Sequence, residues 1–378
     1  MSTITEATAL TLDVATVTRQ IQANCDIADA GSGSVFSLCG FLLRLRDHYK
    51  WEHGFNPWEE PEPSDLLEWV EAREEKWLEL GDETFQPLVV EGNVYQPFDL
   101  DPINDCLRPQ GLVYGAGYVA GMKPSFLLAK IVESRSVGSL TMDTVDRELA
   151  RDLFVTPAMR QGNRILARRS AMLFFIWDQI LEMRPSAASA LRYALHQYGL
   201  DLGALRRSPK ELGPRLHEVA AAELAAWIYH EIGEAREDTF GGTLWQEMVA
   251  TYANSPVEIL ARVLKDLLAD THPDGLLAHI IGSGLKSSLG FYVAFLRSFS
   301  RTVFPEIREA FEQFVPDSDW SIVEQARVRG RGRVIEMVDS LIAIHETGRD
   351  RGTDWARDEI IAALIEPLGI PSASRGIH

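Results

Sequence analysis

The sequence predicts a mainly α protein: a helical array or bundle joined to a smaller, irregular N-terminal part that contains short β-hairpins. From Ser170 onward nearly every segment shows the apolar period of an amphipathic helix. Between residues 57 and 109, by contrast, seven prolines interrupt the chain and favour turns over long elements. We therefore expect an irregular α region with minor β over residues 1–165, a helical domain over 166–370 and a disordered tail over 371–378. One continuous domain is the alternative.

The N-terminal part contains two predicted helices and two predicted hairpins. Residues 35–50 read as a helix that is apolar at first and polar in its last two turns. After Ser64, apolar residues at helical spacing predict an amphipathic helix with an acidic outer face. Gly-Asn turns flanked by β-prone residues predict hairpins at 88–95 and 159–168.

The helical domain divides into segments with clear start and stop signals. Ser186 and Thr243 are N-cap candidates, and Gly199 and Gly348 are typical helix stops. The predicted helices cover residues 170–183, 186–198, 215–237, 243–253, 257–270, 275–299, 303–314, 320–347 and 354–366.

Charge and cysteine content exclude several classes of protein. The chain has 37 Lys and Arg against 55 Asp and Glu, a net charge of −18, which argues against nucleic acid or an anionic membrane surface as a partner. Three scattered cysteines indicate neither a disulfide framework nor a zinc ribbon. Of these we expect Cys39 in the core and Cys25 and Cys106 nearer the surface. With no signal peptide pattern and no spanning segment, the sequence suggests a cytoplasmic protein.

Most of the negative charge lies in one stretch. Residues 51–110 contain 16 Asp and Glu but only Arg73, Lys76 and Arg108 as cations. The tryptophan-rich part of this stretch, residues 51–80, is a candidate surface for a basic protein partner. The sequence names no partner and leaves the oligomeric state open.

The strongest candidate site lies on the segment VAAAELAAWIYHEIGEARE, residues 219–237. His230 and Glu234 are spaced i, i+4, which lets an imidazole and a carboxylate share one metal ion. Glu231 and Glu237 are candidates for acid–base catalysis beside it. A hydrogen-bonded structural network and a solvated helix face are the alternatives. The absence of a second histidine weakens a zinc-protease interpretation.

Further ligands for such a site have to come from other helices. Asp178 and Glu182 lie at i, i+4 in an otherwise apolar helix, and His279 lies in another. Together with His230 and Glu234 they predict a carboxylate-rich site for iron, zinc or manganese. Pairing of Asp178 and Glu182 with nearby arginines, and a core position for His279, are the simpler alternatives.

A third group of candidates suggests a small-anion or cofactor site. Arg44, Arg46, Lys50 and His53 are concentrated among aromatic residues, a combination that can clamp an anion. The glycine-rich segment at 111–124 adds Tyr118 and Lys123 as weaker contacts. Since the βαβ context of a nucleotide-binding turn is missing, tight backbone packing or a flexible lid is favoured there.

Three stretches together resemble a family of uncharacterised soluble bacterial proteins. They are LRDHYKWEHG with PWEEPEPSDLLEWVEAREEKW, the LVYGAGY turn, and the series WDQI, YHEIGE, KDLLAD and LGFYVAFL. The resemblance extends from about Cys25 to Ile370. It implies a cytoplasmic role in bacteria, in housekeeping or in the metabolism of anaerobic and sulfur-metabolising species, and it carries over no catalytic residue.

These observations support three functions. The first is an α-helical metalloprotein, and the second is a non-catalytic assembly or interaction factor that uses residues 51–80. The third is a small-anion or cofactor binder.

Overall fold

The computed structural model describes residues 12–31, 36–119 and 122–369. The predicted disordered tail lies outside this range, as do Val35 and Gly121. The N-terminal half begins with three helices, a small antiparallel strand pair and a fourth helix. In chain order these are α1 (Val14–Ala30), α2 (Leu38–His53), α3 (Pro63–Leu80), β1 (Leu88–Val90), β2 (Asn93–Tyr95) and α4 (Leu100–Leu107).

A curled five-stranded mixed sheet follows. Its order is β3-β4-β5-β7-β6, in which β5 and β7 are parallel and the other neighbours antiparallel. The strands are β3 (Leu112–Tyr118), β4 (Pro124–Val137), β5 (Leu140–Arg151), β6 (Ala158–Gln161) and β7 (Arg164–Arg168).

This sheet shows that the predicted fold class is wrong. The hairpins at 88–95 and 159–168 are present, but residues 112–151, which the sequence left irregular, form the three longest strands. Register shifts in the pairing of β4 with β5 break the two-residue alternation, and both faces of β4 are buried from Ser125 to Ala129. A short apolar run buried on both sides does not display the strand period.

The second half of the chain consists of helices, and β7 ends at Arg168 where the first of them begins at Arg169. A π-helical turn at Ile361–Ile365 follows the last α-helix. The helices are α5 (Arg169–Leu181), α6 (Ala188–Gln197), α7 (Leu202–Arg207), α8 (Pro209–Leu212), α9 (Leu216–Arg236), α10 (Leu244–Thr251), α11 (Pro256–Thr271), α12 (Leu276–Gly282), α13 (Lys286–Phe295), α14 (Ser298–Val303), α15 (Glu306–Asp317), α16 (Trp320–Arg351) and α17 (Thr353–Ile360).

Two large apolar cores support this arrangement. One lies between α1, α4 and one face of the sheet, and includes Ile21, Ile103 and Phe126. The other holds the helical half together around α9, α11 and α13. Helices α5 and α9 also pack against β5, β6 and β7, so the sheet and the helices share an interface.

In the described part of the chain, no helix combines the length and the apolar character needed to cross a membrane.

Candidate functional site

The side chains of His230, Asp270 and Tyr292 form a chain of hydrogen bonds across three helices, buried at Asp270 and Tyr292 and partly exposed at His230. Nδ1 of His230 in α9 lies 2.7 Å from Oδ1 of Asp270 in α11. The hydroxyl of Tyr292 in α13 donates to the other carboxylate oxygen of Asp270 at 3.0 Å. Because both oxygens of Asp270 are engaged, the carboxylate fixes the orientation of the imidazole ring.

A glycine lets the two helices approach closely enough for this contact. Gly233 lies one turn after His230, and a Cβ atom at its position would come within 2.2 Å of the carbonyl oxygen of Ala269. The residue after Ala269 is Asp270, so the closest backbone approach of α9 and α11 occurs beside the histidine–aspartate pair.

The environment favours the protonated form of His230. Burial acts to lower the pKa of this imidazole, but Asp270, with smaller contributions from Glu231 and Asp266, raises it well above its ordinary value. The other ring nitrogen, Nε2, therefore carries a proton at neutral pH. The side chain retains 21% exposure, so the ring is not sealed inside the protein.

Two carboxyl groups beside His230 titrate near neutral pH. Burial raises the pKa of Glu231 to about 7, with His230 acting in the opposite direction. Burial likewise raises the pKa of Asp266 to about 6. Asp266 keeps accessible surface, so it lies at the surface of α11 rather than in the core.

An aromatic cluster borders the same face of α9. The rings of Phe175, Trp227 and Phe295 lie 4.8–5.6 Å apart, in tilted or edge contacts. Trp227 precedes Glu231 by one helical turn, so the aromatic surface continues directly into the titratable groups.

Beyond Phe175 lies a small cavity of about 10 Å³, the space of one water molecule. Arg44, Asp47, His48 and Arg151 line it together with the aromatic rings of α5. Arg151 is fully buried, and its Nε and Nη1 atoms have no partner among the described residues. Burial lowers the pKa of this guanidinium to about 10, and burial with Arg151 and Arg73 keeps the pKa of His48 well below its ordinary value.

A larger cleft of about 640 Å³ lies between α1, α2, α3 and the sheet. Its charges are largely satisfied by the protein itself: Arg73 and Lys76 both pair with Asp26, and Arg147 donates to the backbone of Trp51. Paired groups are less suited to hold a ligand, and we place the candidate site at His230 instead.

The other predicted residues of α9 do not join His230 in a ligand set. The Glu234 carboxylate forms ion pairs with Lys265 at 2.7 Å and with Arg160 at 3.2 Å. Although burial opposes it, these cations hold the pKa of Glu234 below its ordinary value. Glu237 binds Arg331 at 2.7 Å and the hydroxyl of Thr239 at the end of the helix. Both glutamates thus act as structural ion-pair partners.

His279 stacks on the ring of Tyr229, with centroids 3.5 Å apart, and burial lowers its pKa. Asp178 lies 3.4 Å from Arg46, which also binds Asp47. Burial, reinforced by Asp47, raises the pKa of Asp178 well above its ordinary value. Glu182 is exposed. Across the described ranges, no three His, Cys, Asp or Glu side chains are grouped as a metal ion would require.

The predicted anion-binding residues are also spread out. Lys50 is fully buried and donates to Pro57 and Glu60, while His53 stacks on Tyr49. Tyr118 and Lys123 lie where β3 turns into β4, Tyr118 stacked on Phe98. The glycine segment there is strand rather than a phosphate loop. A Cβ at Gly115 would lie 3.1 Å from Leu127, consistent with tight backbone packing.

Sequence reasoning did not connect Asp266, Asp270 and Tyr292 with His230. The i, i+4 pair of aspartates in the apolar helix α11 was a usable signal, since acids in such a helix need partners. The spacing of residues along α11 did not show which helix would supply these partners.

Two family models match most of the chain. One is described as the N-terminal domain of a family of unknown function (DUF6866) and matches residues 16–168. The other is the C-terminal domain of the same family and matches residues 173–363. Searches of curated proteins and of solved structures found no match.

Proposed function

The chain belongs to the DUF6866 family of unknown function, and we propose that it is an enzyme that carries out general acid–base catalysis at His230. The observation that carries this proposal is the 2.7 Å contact between His230 Nδ1 and Asp270 Oδ1. A carboxylate on one ring nitrogen orients the imidazole and leaves the other nitrogen for the substrate.

His230 takes the role of general acid. Its raised pKa keeps the ring protonated at neutral pH, so Nε2 presents an N–H to a substrate oxygen or nitrogen. Tyr292 supports this role indirectly, because its hydrogen bond to Asp270 holds the carboxylate in place.

Glu231 takes the role of general base. Its pKa of about 7 makes a substantial fraction of the carboxyl available as carboxylate near neutral pH. A base whose pKa lies near the working pH combines the right protonation state with a useful driving force for proton transfer. Neighbouring groups with separated pKa values are the pattern expected for an acid and a base.

The reaction class is proton transfer to and from a substrate, with water or a substrate group as the nucleophile. Within the described residues no hydroxyl or thiol hydrogen-bonds to His230, so a covalent mechanism through an activated serine or cysteine has no support. The metal centre suggested by the sequence stays a prediction, to be tested by elemental analysis of the purified protein.

Hydrolysis of chromogenic esters of carboxylic and phosphoric acids tests the proposal. We expect turnover that falls by about 100-fold or more in His230→Gln, the range typical of a lost acid–base group. Asp270→Asn should also lower it, because the ring loses its orienting partner. His279→Gln is the matched control, a histidine on the adjacent helix that should leave turnover unchanged. Equal activity in wild type and His230→Gln contradicts the proposal.

A further inference from the structure

The structure narrows the surface that the sequence suggested for a protein partner. Three of the four tryptophans in residues 51–80 are buried, and the fourth, Trp69, is half-buried. The exposed large apolar side chains of this stretch are instead two leucines of α3, Leu67 at 62% exposure and Leu78 at 84%. The leucines therefore supply the apolar part of an interface here.

One stripe of α3 joins these leucines to acidic side chains. Four residues follow one another on it at spacings of i, i+4, i+7 and i+11: Leu67, Glu71, Glu74 and Leu78. This spacing places them within about 60° of one another around the helix. Glu71 and Glu74 are exposed. The outer stripe of α3, as we call these four residues, thus carries a leucine at each end and two carboxylates between them.

Contacts on the other side of α3 keep the outer stripe in solvent. Trp77 is buried in a small core with Leu45 of α2 and with Leu153. Arg73 lies 3.0 Å from Asp26 of α1, which is buried. The helix is therefore held against α1 and α2, and its outer stripe is available to a partner.

The acidic side chains on the exposed side of α3 follow one another closely along the helix. The two cations of α3, Arg73 and Lys76, bind Asp26 and Glu52. Among the described residues, no cationic side chain lies within ion-pair distance of the five exposed glutamates of this helix: Glu68, Glu71, Glu74, Glu75 and Glu79. Glutamates three or four residues apart on a helix repel each other. A positively charged partner would relieve this repulsion and cover the leucines at the same time.

The sign of the charge decides which partner fits this surface. Nucleic acid and anionic membrane surfaces carry the same sign as the outer stripe and are repelled. A second copy of the chain that used the same stripe would set carboxylates against carboxylates. A protein segment that carries Lys or Arg has the complementary charge.

The length of the outer stripe indicates the shape of that segment. At a rise of 1.5 Å per residue, Leu67 and Leu78 are about 16 Å apart along the helix axis. A helix lying along α3 matches this length with two apolar residues three turns apart, and cations between them reach Glu71 and Glu74. Burial of the leucines supplies affinity, and the charge pairs set the orientation of the two helices.

We propose that the outer stripe of α3 is a docking surface for a basic amphipathic helix of another protein. That helix carries two apolar residues three turns apart, with Lys or Arg between them on the same face. The proposal is independent of catalysis at His230, because the stripe lies in the N-terminal half and shares no residue with the candidate site.

Fluorescence anisotropy with a designed peptide tests the surface. The probe is a labelled peptide of about 20 residues, long enough to form a helix, in which two leucines lie eleven positions apart with lysines between them. We expect binding that weakens with added salt and that falls about tenfold or more in Glu71→Lys/Glu74→Lys/Glu75→Lys. Leu67→Ser/Leu78→Ser changes no charge and should weaken binding by a similar factor, because it removes the apolar contact.

The matched control is Asp339→Lys/Glu346→Lys/Asp350→Lys. These acidic residues are exposed along one stripe of α16, and no large apolar side chain is exposed between them in this described helix. The control therefore makes the same change in net charge without altering an apolar surface, and it should bind the peptide nearly as well as the wild type. All substituted side chains are exposed, so the variants should fold like the wild type.

Weaker binding in both α3 variants, with the control unchanged, supports the proposal. Three results would each overturn it: no binding of the peptide to the wild type, equal binding by the leucine variant and the wild type, or an equal loss in the α16 control. Size-exclusion chromatography examines the remaining occupant. A wild-type dimer that dissociates in the leucine variant would identify the partner as a second copy and overturn the proposal as well.

Discussion

Gly233 lies so close to the carbonyl oxygen of Ala269 that its position leaves no room for a side chain. A methyl group there would lie 2.2 Å from the oxygen, well inside van der Waals contact. The helices α9 and α11 are thereby held together at the level of His230 and Asp270, so the candidate site depends on the smallest residue of its helix.

Gly233→Ala should therefore destabilise the protein, by about 1–3 kcal/mol, as expected for overpacking of a tight contact. The gain in helix propensity is too small to offset it. Gly332→Ala in α16 is the control, because a Cβ there meets no atom within 4 Å, and it should stabilise by about 0.5–1 kcal/mol. Urea unfolding of both variants measures the difference. Equal effects of the two substitutions would contradict the packing argument.

Glu231 and Glu234 should change the pH dependence of stability in opposite directions. Glu231 has a folded-state pKa raised to about 7 from an ordinary value of 4.5. The folded protein then binds the proton more tightly than the unfolded chain, and the free energy of unfolding falls as pH rises between these two values. Glu231→Gln should remove this fall, which is on the order of 1–3 kcal/mol.

Glu234 has a lowered pKa, so its contribution to stability is present above its unfolded pKa and is lost as pH falls through the folded value. Glu234→Gln should consequently lower stability at neutral pH by removing the ion pairs with Lys265 and Arg160. Denaturation midpoints between pH 4 and pH 9 test both substitutions. If the free energy of unfolding of Glu231→Gln changes with pH as steeply as that of the wild type, the raised pKa of Glu231 is wrong.

Arg73 should matter for stability more than the acidic residues around it. It lies 3.0 Å from the buried Asp26, and Arg73→Gln should cost about 2 kcal/mol, the range for a hydrogen bond to a charged group. Glu71, Glu74 and Glu75 are exposed on the same helix, α3. Their combined replacement by lysine should leave the unfolding temperature nearly unchanged. A large drop in that variant would show that the acidic face is structural.

The same lysine variant tests the proposed interaction with a basic protein partner. Exposed Leu67 and Leu78 lie beside these glutamates, which gives the surface both charge and apolar area. We expect a salt-sensitive complex in pull-down experiments with the wild type and its loss in the variant. Retention of every partner would exclude this surface.

The three cysteines should differ in reactivity. Cys39 is exposed, Cys106 is partly exposed, and Cys25 is fully buried. Burial, with Asp152 and Asp29, raises the pKa of the Cys25 thiol well above its ordinary value. Labelling with a thiol reagent in native buffer should modify Cys39 first and Cys25 only after unfolding. Rapid modification of Cys25 in the native protein would contradict the packing of α1 against the sheet.

The extent to which structure followed from sequence differs from element to element. The helices of the second half could be predicted from sequence because most of them bury one face and expose the opposite face, which gives the amphipathic period. Strands β4 and β5 were not predicted, because their burial is continuous over part of their length and their pairing register shifts. The sequence predicted Cys39 in the core and Cys25 nearer the surface, and the structure shows the reverse. The prediction was wrong because an apolar or polar neighbourhood in sequence does not show which side of a helix faces the core.

The candidate site shows the same limit. His230 and Glu231 were identified from one helix, whereas Asp270 and Tyr292 come from two other helices, α11 and α13. Spacing within a helix identified groups able to do chemistry. The same spacing suggested that His230 and Glu234 share a ligand. In the structure Glu234 instead pairs with Lys265 and Arg160. Spacing along one helix could not show this, because tertiary packing brings these two cations to Glu234.

The direct passage from strand β7 to helix α5, at Arg168 and Arg169, has a mechanical consequence. No loop residue lies between the strand and the helix at this point, where the chain passes from the sheet into the helical half. A bend at this crossing would break hydrogen bonds of the strand or of the helix, so motion of the two halves about this point carries an energetic cost.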